Sequence, residues 1–307
     1  MLRNCTGGHV SITSIGENRQ KVTTATLAEK KSRREPITCL TAYDYGTARL
    51  VDEAGIDMIL VGDSLAQVVL GYDNTLPVTM EEMLHHTRAV RRAVKRAFLV
   101  ADMPYASYHV GVKEALRNAT RFVKYGGAEA VKIEGGSKRI EIVSALVDAE
   151  IPVMGHIGLT PQSVNAMGGY KVQGKTLAAI ENLMRDAVAL DNAGVCSMVL
   201  EGIPREVAAM ITAEVSVPTI GIGAGPECDG QVLVIHDLVG LTFSSPAKFV
   251  RRYVDVGAAI SEAIAGFKQD VAAGNYPSDA ESYHLPKDTA AALEDIVARK
   301  KKVVFSN

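Results

Sequence analysis

The 307-residue sequence has no excess of basic charge: 33 Lys and Arg stand against 35 Asp and Glu, for a formal net charge of -2. A nucleic-acid partner held by a basic field is therefore not expected. The basic runs "KKSRR" (Lys30 to Arg34) and "ARKKK" (Ala298 to Lys302) are short, lie towards the ends and read as solvated tails. The four cysteines, Cys5, Cys39, Cys196 and Cys228, are far apart and form no CxxC pair. That spacing argues against a zinc cluster and a disulfide framework, and makes a reducing compartment the default. No apolar run approaches the ~18–20 residues that span a bilayer, and the start of the chain lacks the apolar core of a signal peptide. A cytoplasmic protein is expected; the Ser/Thr-bearing, acid-poor opening "MLRNCTGGHVSITSIGENRQ" leaves an organelle matrix as the alternative. A GxGxxG opening a helix after the first strand is also missing, which removes the main sign of a doubly wound dinucleotide fold.

What the sequence does have is a rhythm. From Ile37 onward, short apolar runs alternate with helical segments: "ITCLTAYD", "MILVGDS", "FLVADMP", "AVKIEGG", "PVMGHIG", "SMVLEGI", "PTIGIGAG" and "VLVIHDLVG". Most are continuously apolar, as parallel strands buried on both faces are. Between them, Thr79 and Glu82 make a capping box, and Ile180, Leu183, Met184, Ala187 and Leu190 keep helical spacing up to Gly194. Pro204 suits the first turn of another helix. The segments "AGIDMILVGD", "GGAEAVKIEG" and "AGVCSMVLEG" repeat one pattern of glycine stop, strand and terminal acid. Eight such units predict an α/β fold, a single (β/α)8 TIM barrel with N- and C-terminal extensions. The expected divisions are an unstructured extension over 1–21, a catalytic domain over 22–284 and a tail over 285–307 with a short helix.

The terminal acids are the informative part. Asp63, Asp102, Glu134 and Glu201 each end a strand, and in such a barrel strand ends meet at the active-site mouth. A single acid there is as often a helix cap or a loop salt bridge; four of them point to a site. Crowded carboxylates repel and take up protons unless a cation compensates, and an all-oxygen set favours Mg2+ or Mn2+ over zinc. A 2-oxo acid chelates such an ion through its carboxylate and keto oxygens. Ser64 is placed either to bind a substrate carboxylate or to cap a helix. Lys132 shares a strand face with Glu134, so it neutralises the acids, binds an anion or forms a Schiff base. His156 reads as a packed core histidine or a proton donor. The connection "HIGLTPQSVNAMGGYKVQGK" is too long for an ordinary turn and reads as a lid. The glycines of "GIGAG" serve either an anion cradle or close packing.

The blocks "TAYDY", "LVGDSL", "GYDNTLPVT", "VKIEGG", "GHIGLTPQSVN", "GGYKVQG" and "GIGAG…DGQVLV" closely resemble the ketopantoate hydroxymethyltransferase family over residues 22–284. The resemblance implies a barrel of the phosphoenolpyruvate/pyruvate superfamily that transfers a one-carbon unit from 5,10-methylenetetrahydrofolate to 3-methyl-2-oxobutanoate, the first committed step of pantothenate synthesis. It further implies a Mg2+ site at Asp63, Asp102 and Glu134, directly or through water, with ketoacid contacts at Asp63, Ser64, Asp102 and Lys132. Glu201 matches the catalytic base, His156 would assist it, and a homo-oligomer, commonly a decamer, is implied as well. Gly202 stands where the family often carries another residue. Readings left standing beside this one are another superfamily lyase or mutase, a Schiff-base aldolase using Lys132, and a catalytically silent barrel.

Overall fold

A computed structural model describes residues 20–304. The extension expected before residue 21 therefore lies almost wholly outside the described residues, as do the side chains of the basic run from residue 299. Two compact units make up the chain, Met1–Val254 and Asp255–Asn307.

The first unit is a closed barrel of eight parallel strands in sequence order. They are β1 (Ile37–Thr41), β2 (Met58–Val61), β3 (Phe98–Asp102), β4 (Ala130–Glu134), β5 (Val153–Gly158), β6 (Ser197–Glu201), β7 (Thr219–Ile222) and β8 (Gly230–Leu233). Along each strand, residues alternate between two apolar layers, because successive side chains of a strand point to opposite faces. Ile59, Val61, Leu99, Ala101, Val131 and Ile133 belong to the larger cluster that also holds helix residues such as Leu84 and Val143. Met58, Leu60, Phe98, Val100, Ala130, Met154 and Val199 form the other cluster, inside the barrel. Carried on by two, that inner row reaches Asp102, Lys132, Glu134, His156 and Glu201. The strand period alone thus turns one row of side chains from an apolar core into a polar mouth.

The helices follow their local signals. Thr79 and Glu82 close a capping box on the helix Met80–Ala93, and Gly194 takes φ 84° just after the helix Leu177–Asn192. Pro204 stands immediately before the helix Arg205–Glu214 rather than in its first turn. The eighth strand differs from the expectation. It starts earlier, at Gly230, and stops at Leu233, while the "IHDLV" that looked like its apolar continuation is the short helix Ile235–Val239. A run of branched apolar residues carries no period to separate strand from buried helix.

The "KKSRR" segment also departs from its reading as a solvated tail. Lys30 and Lys31 lie in the last turn of the helix Thr24–Arg33, whose Leu27 is fully buried within the inner barrel cluster. From there Lys30 Nζ reaches Asp57 at 2.7 Å and Lys31 Nζ reaches Asp229 at 2.8 Å. Both acids sit just before a strand, so this helix closes the N-terminal end of the barrel by charge as well as by apolar contact.

The second unit contains the helices Val256–Ala273 and Lys287–Val304. The first of these falls beyond the barrel unit, although the sequence rhythm extends the catalytic domain to 284. The second runs for 18 residues where a short helix is expected. Ile260, Ile264, Phe267 and Val271 recur at helical spacing on Val256–Ala273 and are exposed.

Candidate active site

Strand register assembles the site. Asp102 of β3 pairs with Lys132 of β4, Glu134 of β4 with His156 of β5, and Gly158 of β5 with Glu201 of β6. Asp63 and Ser64 follow β2 on the same rim. All seven predicted residues line one cavity of about 380 Å3 at the C-terminal ends of the strands, together with Tyr170 of the long loop after β5. A larger hollow of about 1320 Å3 beside β1 and β8 contains none of the converging acids, so chemistry favours the smaller one.

The electrostatics are those of a crowded, dry site. Asp63 is 4% exposed, and burial together with the charges of Asp102 and Glu134 raises its carboxyl well above the ordinary range. Asp102 is also raised, by burial and by Glu134, although Lys132 and the Asp63 N–H pull the other way. The Asp63 N–H donates to Asp102 Oδ2 at 2.9 Å, while Lys132 Nζ forms an ion pair with Asp102 Oδ1 at 3.0 Å. Burial works against the Lys132 ammonium, but the three surrounding acids outweigh it and hold the pKa above its ordinary value. Lys132 is therefore a fixed cation.

His156 is fully enclosed between two acids. Its Nδ1 is 3.5 Å from Glu134 Oε1 and its Nε2 is 3.2 Å from Glu201 Oε2. Burial and the Lys132 charge push its pKa down; Glu134 and Glu201 more than compensate and bring it up to about 9. Glu134 is held low despite its burial, chiefly by His156 and Lys132. Ser64 does not cap the short helix that follows it. Its hydroxyl is 2.8 Å from the Tyr43 hydroxyl, which leaves it at the cavity wall.

Among the described residues, no three His, Cys, Asp or Glu side chains close into a ready-made cage for an ion. Mg2+ does not need one, since it commonly takes one or two carboxylates and keeps water or substrate in its other positions. The donors suit such an ion: Asp63, Asp102 and Glu134 offer only oxygen, and Asp102 Oδ1 and Glu134 Oε1 are buried without a hydrogen bond.

Two residues of the site's surroundings were not among the sequence candidates. Gln162 is 5% exposed and hydrogen-bonds both Asp63 and Glu134; Tyr108 is fully buried and hydrogen-bonds Gln162. Neither ends a strand nor repeats a pattern, so only the fold reveals them. The "GIGAG" glycines are accounted for by packing: a Cβ on Gly223, at φ 63°, would lie 2.6 Å from the Phe249 ring, and one on Gly225 would lie 2.4 Å from Arg205 Cβ.

The sequence profile of the family described as ketopantoate hydroxymethyltransferase matches residues 21–279. The chain belongs to that family. Among its relatives, the 3-methyl-2-oxobutanoate hydroxymethyltransferase of Koribacter versatilis is 72% identical over 287 residues, 94% of this chain and 97% of the relative. The protein of the same name from Syntrophomonas wolfei is 56% identical over 273 residues, 89% of this chain and 99% of the relative. Solved structures share the fold at much lower identity. Phosphonopyruvate hydrolase superposes with a TM-score of 0.54 at 14% identity, covering 92% of this chain and 99% of that one. For 2,3-dimethylmalate lyase, a member of the PEP mutase/isocitrate lyase superfamily, the TM-score is 0.54 at 16% identity, covering 94% and 100%. Among the described residues, no helix is long and apolar enough to cross a membrane.

Proposed function

We propose that this hydroxymethyltransferase-family protein transfers a hydroxymethyl group from 5,10-methylenetetrahydrofolate to 3-methyl-2-oxobutanoate, giving 2-dehydropantoate and tetrahydrofolate in the first committed step of pantothenate biosynthesis. The observation that carries the reading is the division of one cavity into two functions. Asp63 and Asp102, with Lys132 Nζ 3.0 Å from Asp102, form an oxygen-rich side; the His156–Glu201 pair, with its 3.2 Å contact, forms the other. The names of the relatives supply the ketoacid and the class of transfer.

Mg2+ held by Asp63, Asp102 and, directly or through water, Glu134 would supply the charge that polarises the ketone of the bound 2-oxo acid. Ser64 and Lys132 contact the ketoacid, and as the one lysine among the acids Lys132 supplies the chain's own positive charge for its anionic oxygens. Glu201 takes the C3 proton as general base. The C3 electron pair then forms the new carbon–carbon bond to the methylene carbon of the folate. Both of that carbon's bonds to folate nitrogen break, water supplies the hydroxyl, the C3 proton and the remaining water proton pass to the two freed nitrogens, and tetrahydrofolate leaves. His156, with Nε2 beside Glu201 Oε2 and its pKa raised to about 9, assists as a proton donor in the transfer. The charge held on Lys132 weighs against the Schiff-base alternative, because a nucleophilic amine must be neutral.

A homo-oligomer, a decamer of two pentameric rings, belongs to the same reading; the exposed apolar stripe Ile260, Ile264, Phe267 and Val271 supports it as surface that a subunit contact would cover. A cytoplasmic location also belongs to it. The test of the activity is tetrahydrofolate release from 5,10-methylenetetrahydrofolate with 3-methyl-2-oxobutanoate, run with and without EDTA. Release that depends on both the ketoacid and a divalent ion is expected, and release that survives metal stripping rejects the metal-assisted mechanism.

A further inference from the structure

Gln162 is a buried polar residue that does not line the cavity, yet it touches the acids that do. It sits at the root of the long loop after β5, in the single turn Pro161–Ser163. Its main-chain N–H donates to Glu134 Oε2 at 2.9 Å. Its Nε2 donates to Asp63 Oδ2 at 2.9 Å and to the Met103 carbonyl at 3.0 Å. Its Oε1 accepts from the Tyr108 hydroxyl at 2.7 Å. One residue thus ties together the ends of β2 and β3 through its side chain, and the end of β4 and the start of the loop after β5 through its main chain.

The direction of this amide is fixed by chemistry. A carbonyl oxygen only accepts, so the Met103 oxygen requires a donor and selects Nε2 for its side. Tyr108 enforces the same choice from the other end. The Glu134 N–H donates to the Tyr108 oxygen at 3.2 Å, so the phenol proton must point elsewhere. Gln162 Oε1 at 2.7 Å is a better acceptor for it than the Glu134 carbonyl at 3.4 Å. With both ends assigned, Asp63 Oδ2 necessarily receives an N–H.

Each acid is therefore held by one oxygen and left with the other. Glu134 Oε1 is buried with no hydrogen bond and faces His156 Nδ1 at 3.5 Å, and no hydrogen bond to Asp63 Oδ1 is found among the described residues. We propose that Gln162 is a positioning residue of the cation site, which engages one oxygen each of Asp63 and Glu134 from behind so that their other oxygens stay available to the ion, and that Tyr108 sets the amide's direction. The inference rests on the reading of those acids as cation ligands.

The test is Mn2+ titration of the full-length chain, followed by electron paramagnetic resonance of the free ion, for the wild type, Gln162→Met, Tyr108→Phe and the double variant. Loss of a residue that orients a metal ligand typically weakens binding by about 10- to 100-fold, and that range is expected for Gln162→Met. Tyr108→Phe should weaken Mn2+ less but in the same direction. The double variant should lose less than the sum of the two single losses, because part of the Tyr108 effect runs through the glutamine and only the rest through the Glu134 N–H it accepts; independent contributions would add. Unchanged Mn2+ affinity in folded Gln162→Met, or losses that simply add, overturns the proposal. If Gln162→Met does not fold, Gln162→Asn, which keeps the amide but shortens its reach to Asp63, decides in its place: weakened binding supports the positioning role and unchanged binding rejects it. A wild type that binds no Mn2+ overturns the ligand assignment and this inference together, whereas normal wild-type binding with unaffected variants overturns only the inference.

Discussion

Asp57 and Asp102 are 4% and 2% exposed, one before a barrel strand and the other at the end of one, and their surroundings shift them in opposite directions. Asp57 meets Lys30 at 2.7 Å and Arg96 at 3.2 Å, and accepts from both the N–H and the hydroxyl of Thr38. Burial works against its charge, but Lys30 and Thr38 hold the carboxyl below its ordinary value. Asp229 repeats the arrangement with Lys31 and Thr219. At the other end, Asp63, Asp102 and Glu134 share Lys132 and His156, and two of the three carboxyls are raised. The same residue type therefore fastens the fold at one end and strains it at the other. A carboxylate surplus is useful only where something else brings the balancing charge, so the imbalance marks the working end.

The comparison can be broken most sharply at Asp63. Asp63→Asn should abolish turnover, yet thermal unfolding in EDTA should show a melting temperature above that of the wild type. The sign follows from the raised carboxyl: its favourable share of stability is present below the unfolded pKa and is lost as pH rises through the folded one, a loss the neutral amide never incurs. A clearly lower melting temperature would mean that the mouth acids serve the fold after all. At the opposite end, Asp57→Ala takes the carboxylate from Lys30 and Arg96, which keep only backbone carbonyl acceptors, and should cost about 3 kcal/mol in chemical unfolding, with turnover per folded molecule unchanged. Next in size is Glu201→Gln. It should still bind Mn2+ and 3-methyl-2-oxobutanoate but exchange the C3 proton with deuterated solvent at least ~10²-fold more slowly. Wild-type exchange with failed transfer would move Glu201 to the folate half of the reaction and make His156 the first candidate for the base.

The two ends were not equally legible in the sequence. The mouth could be read because each acid directly follows an apolar run, and strand period then carries Lys132 and Glu134 to one face. The bottom could not, since Lys30 and Asp57 are separated by another strand and helix and Lys31 and Asp229 by most of the chain. No local pattern distinguishes a lysine that folds back onto the barrel from one that faces water, and "KKSRR" reads as the latter. Gln162 was hidden for a related reason: its burial comes from the loop's path, and a glutamine between Pro161 and Ser163 has no periodicity to mark it as inward. The end of β8 was missed because "VLVIHDLVG" is equally apolar as strand or helix.

The smallest expected effect concerns how Asp57 gains its stability, and it separates charge pairing from packing. Because burial raises this carboxyl while Lys30 and Thr38 lower it further, the net folded pKa lies below the unfolded one. A depressed acid contributes stability above its unfolded pKa, ~3.9 for Asp, and loses that contribution as pH falls through the folded value. Asp57→Asn keeps nearly the same shape and an oxygen for the Thr38 N–H but carries no charge to titrate. Chemical unfolding of wild type and Asp57→Asn between pH 7 and pH 3 should therefore show a stability gap that is constant near neutrality and narrows towards the acid end. A gap of the same size at pH 3 would assign the loss to packing around Thr38 and not to the Lys30 pair, and the electrostatic contrast between the two ends of the barrel would have to be redrawn on Asp229 alone.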